Sequence, residues 1–477
     1  MNVIDIGGRR ELFWDDYMID TDNTTATPFL HQPTKKDLVL HLTMDWEGDG
    51  CDYYNIMKDG DLYRMYYLGW KMLNPSKTEH TGSDIKVCYA ESRDGIHWTR
   101  PDLHIKNYDG DTNNNIILDR EDGICNDFFA FKDENPKSTP AKKYKAVAEM
   151  PDGTLWSFIS KDALHWKKFR LVSKKGRFDT LNVAFWDSFT NKYYCYIRDF
   201  HDNEETDEYS IRDIRVITSE DFREWTDPVR ISFGDGAADY PLYTNNITPY
   251  YRAPHIWTGF PTRYVQKPEW LPNFDDMPNP ASRRLRSKID PRLGITLTDC
   301  VFMSTRDGYN FHRFDEAWLT PGPETRWNWV YGNCYPACGM IETSTGEKDS
   351  DNELSMYCFE GKWTCQPSKL FRYTVRIDGF VSYHATFKPQ ILTTKPFTFK
   401  GSKLKINFAT SAIGKIFIKI LDKNGKEIEG FKSNEIFGDR VDREVKFEKS
   451  LAELHGKPIK LEFTMSDADI YSFIFED

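Results

Sequence analysis

One turn recurs four times along this chain of 477 residues, and no other feature restricts the fold as much. "ESRDGIHWTR" occupies residues 91–100, and its cousins are "SKDALHW" at 160–166, "SEDFREW" at 219–225 and "TRDGYNF" at 305–311. Each keeps a hydroxyl residue, an Asp two positions on, and an aromatic four positions after that. A short apolar strand runs into each turn: "IKVCYAES", "TLWSFIS", "IRVITSE" and "CVFMST". A hairpin lies upstream of each strand. The first is "DYYNIMKDGDLYRMYYLGW", whose alternating halves meet at Asp59-Gly60, a strong turn signal. A fifth unit, "YPACGMIETSTGEKDSDNELSMYCFEG", precedes the strand-like "KLFRYTVRIDGFVSYHA".

The turn aspartates stand 59 to 86 residues apart, a spacing made irregular by loops of different length. Five units of about four strands, repeated around an axis, are the blades of a β-propeller. Few stretches keep a 3.6-residue apolar period over three turns, so the expected class is all-β. Aromatics at 15%, with 14 Trp and 25 Tyr, suit β-structure and also suit carbohydrate surfaces, where flat rings stack on sugars. From about Pro389 the chain turns Lys-rich and alternates cleanly, as in "KLKINFATSAIGKIFIKILD", which predicts a β-sandwich over 388–477. The propeller is expected over 36–387. Segment 1–35, with "ELFWDDYMID", is expected to close the ring or bridge the domains.

Net charge is −11, from 63 basic and 74 acidic residues, and no Lys/Arg-rich patch invites nucleic acid. No apolar run approaches the length of a membrane span. The opening "MNVIDIGGRRELFWDD" lacks the apolar core of a signal peptide. The nine cysteines are an odd number without metal-ligand spacing, which reads as reduced thiols in a cytoplasmic protein. No cofactor or metal is expected.

Five blades, an Asx at the start of inner strands, "YAESRDGIHW" turns and a C-terminal sandwich together resemble glycoside hydrolase families 32 and 43 and their uncharacterised relatives. The tail "LTTKPFTFKGSKLKINFATSAIGKIFIKILDKNGKEIEGF" is similar to the family 32 C-terminal domain. The family 32 motifs "N-D-P-N-G", "R-D-P" and "E-C-P" are not in this chain. The resemblance implies a glycosidase acting on a small oligosaccharide or glycoside, with a furanoside as the family-level expectation.

Blade geometry sorts the acids. The A–B hairpin and the C–D turn of a blade share one face. The starts of strands A, the ends of strands B and the B–C loops share the other, where the resembled families have their pocket. Asp94, Asp162, Asp221 and Asp307 are therefore turn caps, their short carboxylates accepting nearby backbone N–H groups. The opposite face supplies Asp52, Asp127, Asp179, Glu149 and Glu360 as catalytic candidates. It also supplies Glu47, Trp70, Asn182, Arg198, Asp199, Asn246, Arg263 and Tyr335 as ligand contacts. His255, where one strand B begins, is added as a packed or channel-lining residue. Glycoside cleavage needs a carboxyl that protonates the leaving oxygen and a second carboxylate that activates water or attacks the sugar. Crowded carboxyls also raise one another's titration. An Asp before a strand also commonly ends a turn, a structural role open to Asp52 and Asp127 alike.

By the resemblance, Asp52 and Asp127 match the base or nucleophile and the carboxylate that sets its partner's titration. A Glu acid belongs on the third inner strand, which here opens with Leu181-Asn182, so Asp179, Glu149 or Glu360 is expected to give the proton. Two rivals remain open. A phosphorylase would gather Arg198, Arg252 and Arg263 around one anion. A non-catalytic propeller would bind carbohydrate without turnover.

Overall fold

The computed structural model of the chain describes residues 3–72, 84–124, 126–203 and 206–477. Five four-stranded antiparallel sheets follow one another, and we letter the strands of each A to D from the axis outward. Blade 1 comprises Asp52–Asp59, Leu62–Gly69, Lys86–Ser92 and Ile116–Leu118. Blade 2 comprises Phe129–Lys132, Tyr144–Glu149, Leu155–Ser160 and Lys167–Ser173. Blade 3 comprises Val183–Asp187, Lys192–Asn203, Thr206–Ser219 and Val229–Arg230. Blade 4 comprises Thr248–Tyr250, Ala253–Gly259, Met303–Thr305 and Phe311–Arg313. Blade 5 takes Ile341–Thr343, Glu353–Glu360 and Lys369–Arg376, and borrows its outer strand, Thr34–His41, from the start of the chain. The molecule is the all-β, five-bladed propeller that the repeat predicts, followed by a C-terminal β-domain.

Because the N-terminal strand already fills the outer edge of blade 5, the next segment has no edge to join there. Val381–Ala385 falls before the expected boundary at 387, yet it pairs with Thr27–Leu30 and Ile459–Glu476 in the C-terminal sheet. Two long strands, Lys403–Asp422 and Ile459–Glu476, carry that sheet. Register shifts at Asn407/Phe408 and Thr410/Lys415 bend their shared ladder. Alternate residues such as Ile406, Ile418, Phe463 and Phe473 are fully buried in one core. Fully buried Asp378 ties the two domains. It accepts hydrogen bonds from Tyr250 (2.7 Å) and Ser472 (2.6 Å) and pairs with Arg252 at 3.2 Å.

The recurring turn is built the same way each time. In blade 1, Ser92 Oγ accepts from Gly95 N (2.9 Å), and Asp94 Oδ1 accepts from Ile96 N (2.9 Å) and His97 N (2.8 Å). Ser160 and Asp162, Ser219 and Asp221, and Thr305 and Asp307 repeat those bonds. The residue after the Asp is left-handed in all four: Gly95, Ala163, Phe222 and Gly308, with φ between 62° and 79°. That geometry turns its carbonyl or side chain towards the preceding blade. Tyr66 of blade 1 donates to Ala163 O (2.9 Å), Tyr196 of blade 3 donates to Gly308 O (2.7 Å), and Tyr357 of blade 5 donates to Gly95 O. At the blade 2–blade 3 junction, Phe222 instead packs on Phe131 and Tyr193, with ring centroids 5.8 and 5.0 Å away.

One element differs from the all-β expectation. The B–C connection of blade 4 runs through a two-stranded ribbon, Thr262–Gln266 with Thr296–Cys300, and three helices between them, Asn273–Asp276, Pro280–Ile289 and Pro291–Ile295. The longest helix buries Ser282, Arg283 and Arg286. Two guanidinium groups take its most buried positions, and only Leu285 and Ile289 mark an apolar side, too short a pattern to stand out in the sequence. None of the helices among the described residues is long and apolar enough to cross a membrane.

The clasp is testable. Tyr66→Phe and Tyr196→Phe each leave a buried carbonyl without its donor and should lower the unfolding free energy by about 1–2 kcal/mol, read by chemical denaturation. Unchanged stability in both variants would remove the clasp as a source of ring cohesion.

Candidate active site

The starts of the inner strands are stitched to one another. Asn55 Oδ1 accepts from Ala130 N (2.8 Å), linking blades 1 and 2. Asn182 Nδ2 donates to Asp127 Oδ2 (2.6 Å), linking blades 3 and 2. Asn245 Nδ2 reaches Leu181 O at 3.4 Å, and Asn246 Nδ2 donates to Pro336 O at 2.7 Å, linking blade 4 to both neighbours. Backbone bonds between Cys338 and the Tyr54–Ile56 segment close the circle. Asp127, Asn182 and Asn246, expected as catalytic or ligand-binding groups, are thus parts of the wall. Asp127 is fully buried, and its other oxygen accepts from Glu149 N (2.6 Å). Burial pushes its carboxyl well above the usual range, the N–H groups of Glu149 and Asn182 oppose that, and the Glu149 charge adds to it. The Glu149 side chain stays beside it and accepts from Asn126 Nδ2 (2.6 Å).

Above this ring the first blade contributes Asp52, buried and ion-paired with Lys362 of the loop after strand B of blade 5. Burial raises the Asp52 carboxyl above its ordinary value, against the pull of the Lys362 ammonium and the Trp70 indole. Its Oδ1 has no hydrogen-bond partner. Lys362 is itself buried, 5.1 Å from the Tyr335 centroid and 4.8 Å from that of Trp363. Gly332 makes this possible: a Cβ there would lie 2.4 Å from the Lys362 chain.

Tyrosines floor the mouth. Tyr53 and Tyr243 each stack on Tyr335, at 6.4 and 5.5 Å between centroids. The Tyr53 and Tyr243 hydroxyls are 3.2 Å apart, and both reach the carbonyl of Asp179. The Asp179 carboxylate, 55% exposed, is ion-paired with buried Arg198. Burial raises the phenols of Tyr53, Tyr331 and Tyr335. Burial pushes Tyr243 the same way, but Arg198 and Lys362 outweigh it and bring this phenol below the usual tyrosine value. Three inner-strand starts hold a non-glycine residue at left-handed φ: Tyr53 at 52°, Asn246 at 47° and Cys334 at 56°. Such backbone persists where surrounding contacts over-determine it, and it gathers at working sites.

Other candidates lie away from this centre. Glu47 is fully buried, with its oxygens taken by Arg100 (2.7 and 2.9 Å), Tyr67 (2.7 Å) and Met44 N (2.9 Å), so it braces blade 1. Strand alternation turns Asp199 to the face opposite Arg198, where it pairs with Arg215 at 3.1 Å. Alternation also places Tyr264 over Tyr243 and sends its neighbour Arg263 outward to Asp299, at 2.6 Å through two nitrogens. Glu360 is bound by Lys35 of the outermost strand of blade 5. His255 lies at the opposite end of the blade, 3.3 Å from Glu11 of the N-terminal segment. Arg252 is held by Asp378 and Asp442. The three arginines of the phosphorylase reading therefore sit in three separate ion pairs. Trp70 stays at the mouth, edge-on to Trp363 at 5.9 Å. Among the described residues, no three His, Cys, Asp or Glu side chains group as metal ligands.

Sequence reasoning missed Lys362, Tyr53, Tyr243 and Trp363. A signal was present for two of them. Tyr53 and Tyr243 stand within two residues of the Asx that opens an inner strand, in "CDYY" and "LYTNN", as Tyr335 does in "NCYPAC".

No protein-family model matches the chain, and no curated protein matches it. Solved structures do share its architecture. A fructofuranosidase from Schwanniomyces occidentalis complexed with fructosylnystose is similar at a TM-score of 0.42 and 14% identity, over 94% of this chain and 99% of that one. A family 32 β-fructofuranosidase of Bombyx mori gives 0.41 and 9%, over 94% of each chain. An N-acetylgalactosamine deacetylase from F. plautii gives 0.46 and 10%, over 74% of this chain and 96% of that one. These are likenesses of fold alone.

The Asp52–Lys362 pair sets a pH-dependent expectation. Folding raises the Asp52 titration, so this group favours the folded state at acid pH and that contribution is lost as pH rises through the raised value. Lys362→Met strands the carboxylate and should cost about 3–5 kcal/mol near neutral pH. The penalty should shrink as acid protonates Asp52, and the Asp52→Asn/Lys362→Met double variant should recover most of it. Denaturation of the three variants across pH reads this, and equal losses at every pH would rule it out.

Proposed function

We propose that the protein is a glycosidase that cleaves a small oligosaccharide or glycoside at the mouth of its propeller. The observation that carries this reading is a pair of carboxyl groups in contrasting settings beside one aromatic floor. Asp52 is buried, its titration is raised, and one of its buried oxygens makes no hydrogen bond. Asp179 is exposed and paired with Arg198. Tyr53 connects the two, following Asp52 in the chain and reaching the Asp179 carbonyl. A carboxyl whose burial favours the protonated form is suited to carry a proton to a leaving oxygen, while a solvent-reachable carboxylate can draw a proton from attacking water. Trp70, half-buried at the mouth, offers a flat face for a sugar ring, backed by the buried Trp363.

In this mechanism Asp52 protonates the glycosidic oxygen as the bond to the anomeric carbon breaks. Asp179 orients water on the other side of the sugar. Lys362 then compensates the charge left on Asp52, which is the state its position favours. Hydrolysis is preferred to phosphorolysis because Arg252 and Arg263 are held by Asp378 and Asp299 away from the mouth, so the three arginines do not converge on one anion.

The pure protein should release aglycone from at least one member of a panel of aryl furanosides and pyranosides, at a rate independent of added phosphate. Asp52→Asn and Asp179→Asn should each lower turnover by about 10²–10⁴-fold, the range for loss of a general acid or base. Sugar binding that survives both substitutions, with no turnover of any glycoside, would instead identify a carbohydrate-binding propeller.

A further inference from the structure

Strands B and C of blade 3 run well past the blade. Val183–Asp187 pairs only with the 192–196 part of strand B, whereas strands B and C continue to pair up to Asn203 and Thr206. The result is a two-stranded ribbon overhanging the mouth. Its register sets Phe200 opposite Arg212 and Arg198 opposite Ile214, so Arg198, Phe200 and Arg212 share one face. Both guanidinium carbons lie 5.4 Å from the Phe200 centroid. They also share the Tyr243 ring, at 4.9 Å for Arg198 and 5.6 Å for Arg212, and Arg212 lies 3.9 Å over Tyr264.

The charges around this floor do not cancel. Lys362 has Asp52, Arg198 has Asp179, and Arg292, whose charge is felt by Tyr264 and Tyr331, has Asp290. Arg212 has no carboxylate partner among the described residues. Its Nε and that of Arg198 are both buried and unbonded. The chain as a whole carries −11, so a cation without a carboxylate partner among the described residues is a specific feature of this face. Two guanidinium forks braced on aromatic faces suit an oxyanion, which each can bind through paired N–H groups.

We propose that the ligand of this mouth is an anionic sugar, its carboxylate or phosphate seated between Arg212 and Arg198 under the blade 3 ribbon. This rests on the carbohydrate reading above and adds the charge of the substrate to it. Such a group would compete with Asp179 for Arg198, and on binding would free that carboxylate to face water.

The test is calorimetric titration of the full chain with glucuronate, galacturonate, glucose 6-phosphate, glucose and inorganic phosphate. The uronates or the sugar phosphate should bind at least tenfold more tightly than glucose, and added salt should reduce that preference. The first two arms separate a carboxylate ligand from a phosphate one, and inorganic phosphate shows whether the sugar is needed. Arg212→Gln should cut the anionic-to-neutral affinity ratio at least tenfold, and Arg212→Lys should restore part of it. Equal affinity for glucose and all three anionic sugars, or a ratio unmoved by Arg212→Gln in a folded protein, overturns the proposal. Anion preference without any glycoside turnover would uphold this site while removing the enzymatic reading. Turnover of neutral glycosides alone would do the reverse.

Discussion

A single hydrogen bond, repeated, holds the ring. A hydroxyl residue and an Asp wind the C–D turn until the residue after the Asp is left-handed, and at three of the four turns the carbonyl exposed there is taken by a tyrosine of the preceding blade. Neither half is useful alone. A bare turn would bury an unsatisfied carbonyl, and a bare tyrosine would bury a hydroxyl. Together they join blades that share no sheet hydrogen bonds at that end. At the other end the Asx side chains of the inner strands do the same work, each using a short polar group to reach the backbone of its neighbour. The mouth lies within this second ring of stitches, so its floor is held from all sides before any ligand arrives.

The strand repeat of two residues then decides what faces the mouth. Arg198 looks in and Asp199 looks out; Tyr264 looks in and Arg263 looks out. Charge follows the same division. Outward groups find partners on the surface, while inward Asp52 pairs with Lys362 of another blade and Arg198 with Asp179 on the approach to its own blade. Helix Pro280–Ile289 supports this from behind. Arg286 donates to the carbonyl of Trp363 (3.0 Å), next to Lys362, so an insertion in blade 4 fixes a catalytic-side loop of blade 5. Burial, with the Arg283 charge added, brings that guanidinium's titration down to about 9 against the pull of Asp49.

Much of the fold was legible in the chain because it repeats. Four turns in phase fix the blade count and tell bottom from top, and the alternating tail announces the second domain. The helical insertion was not legible, since Arg283 and Arg286 take its most buried positions and only Leu285 and Ile289 mark an apolar side. The site was half legible. Strand position brought Asp52, Asp179, Arg198, Trp70 and Tyr335 to notice. It could not separate Asp127, Asn182 and Asn246, because an Asx that stitches strands and an Asx that meets a ligand occupy the same place in sequence. Lys362 was missed because its value depends on Asp52, some three hundred residues away, and local pattern does not record such pairs.

The outer strand of blade 5 also sets the order of assembly. Thr34–His41 is synthesised before any blade, yet its partner is Lys369–Arg376. Until that late segment emerges, this early strand is an open edge, and the ring has a gap. The stretch before it, Ile4–Gly7 and Thr27–Leu30, waits longer still for strands of the C-terminal sheet. Closing contacts so distant in sequence carries a large loop-entropy cost before any stabilisation returns. Neither the propeller ring nor the C-terminal sheet can be completed before those late strands are made, and a growing chain must keep its earliest strands unpaired with strangers until then.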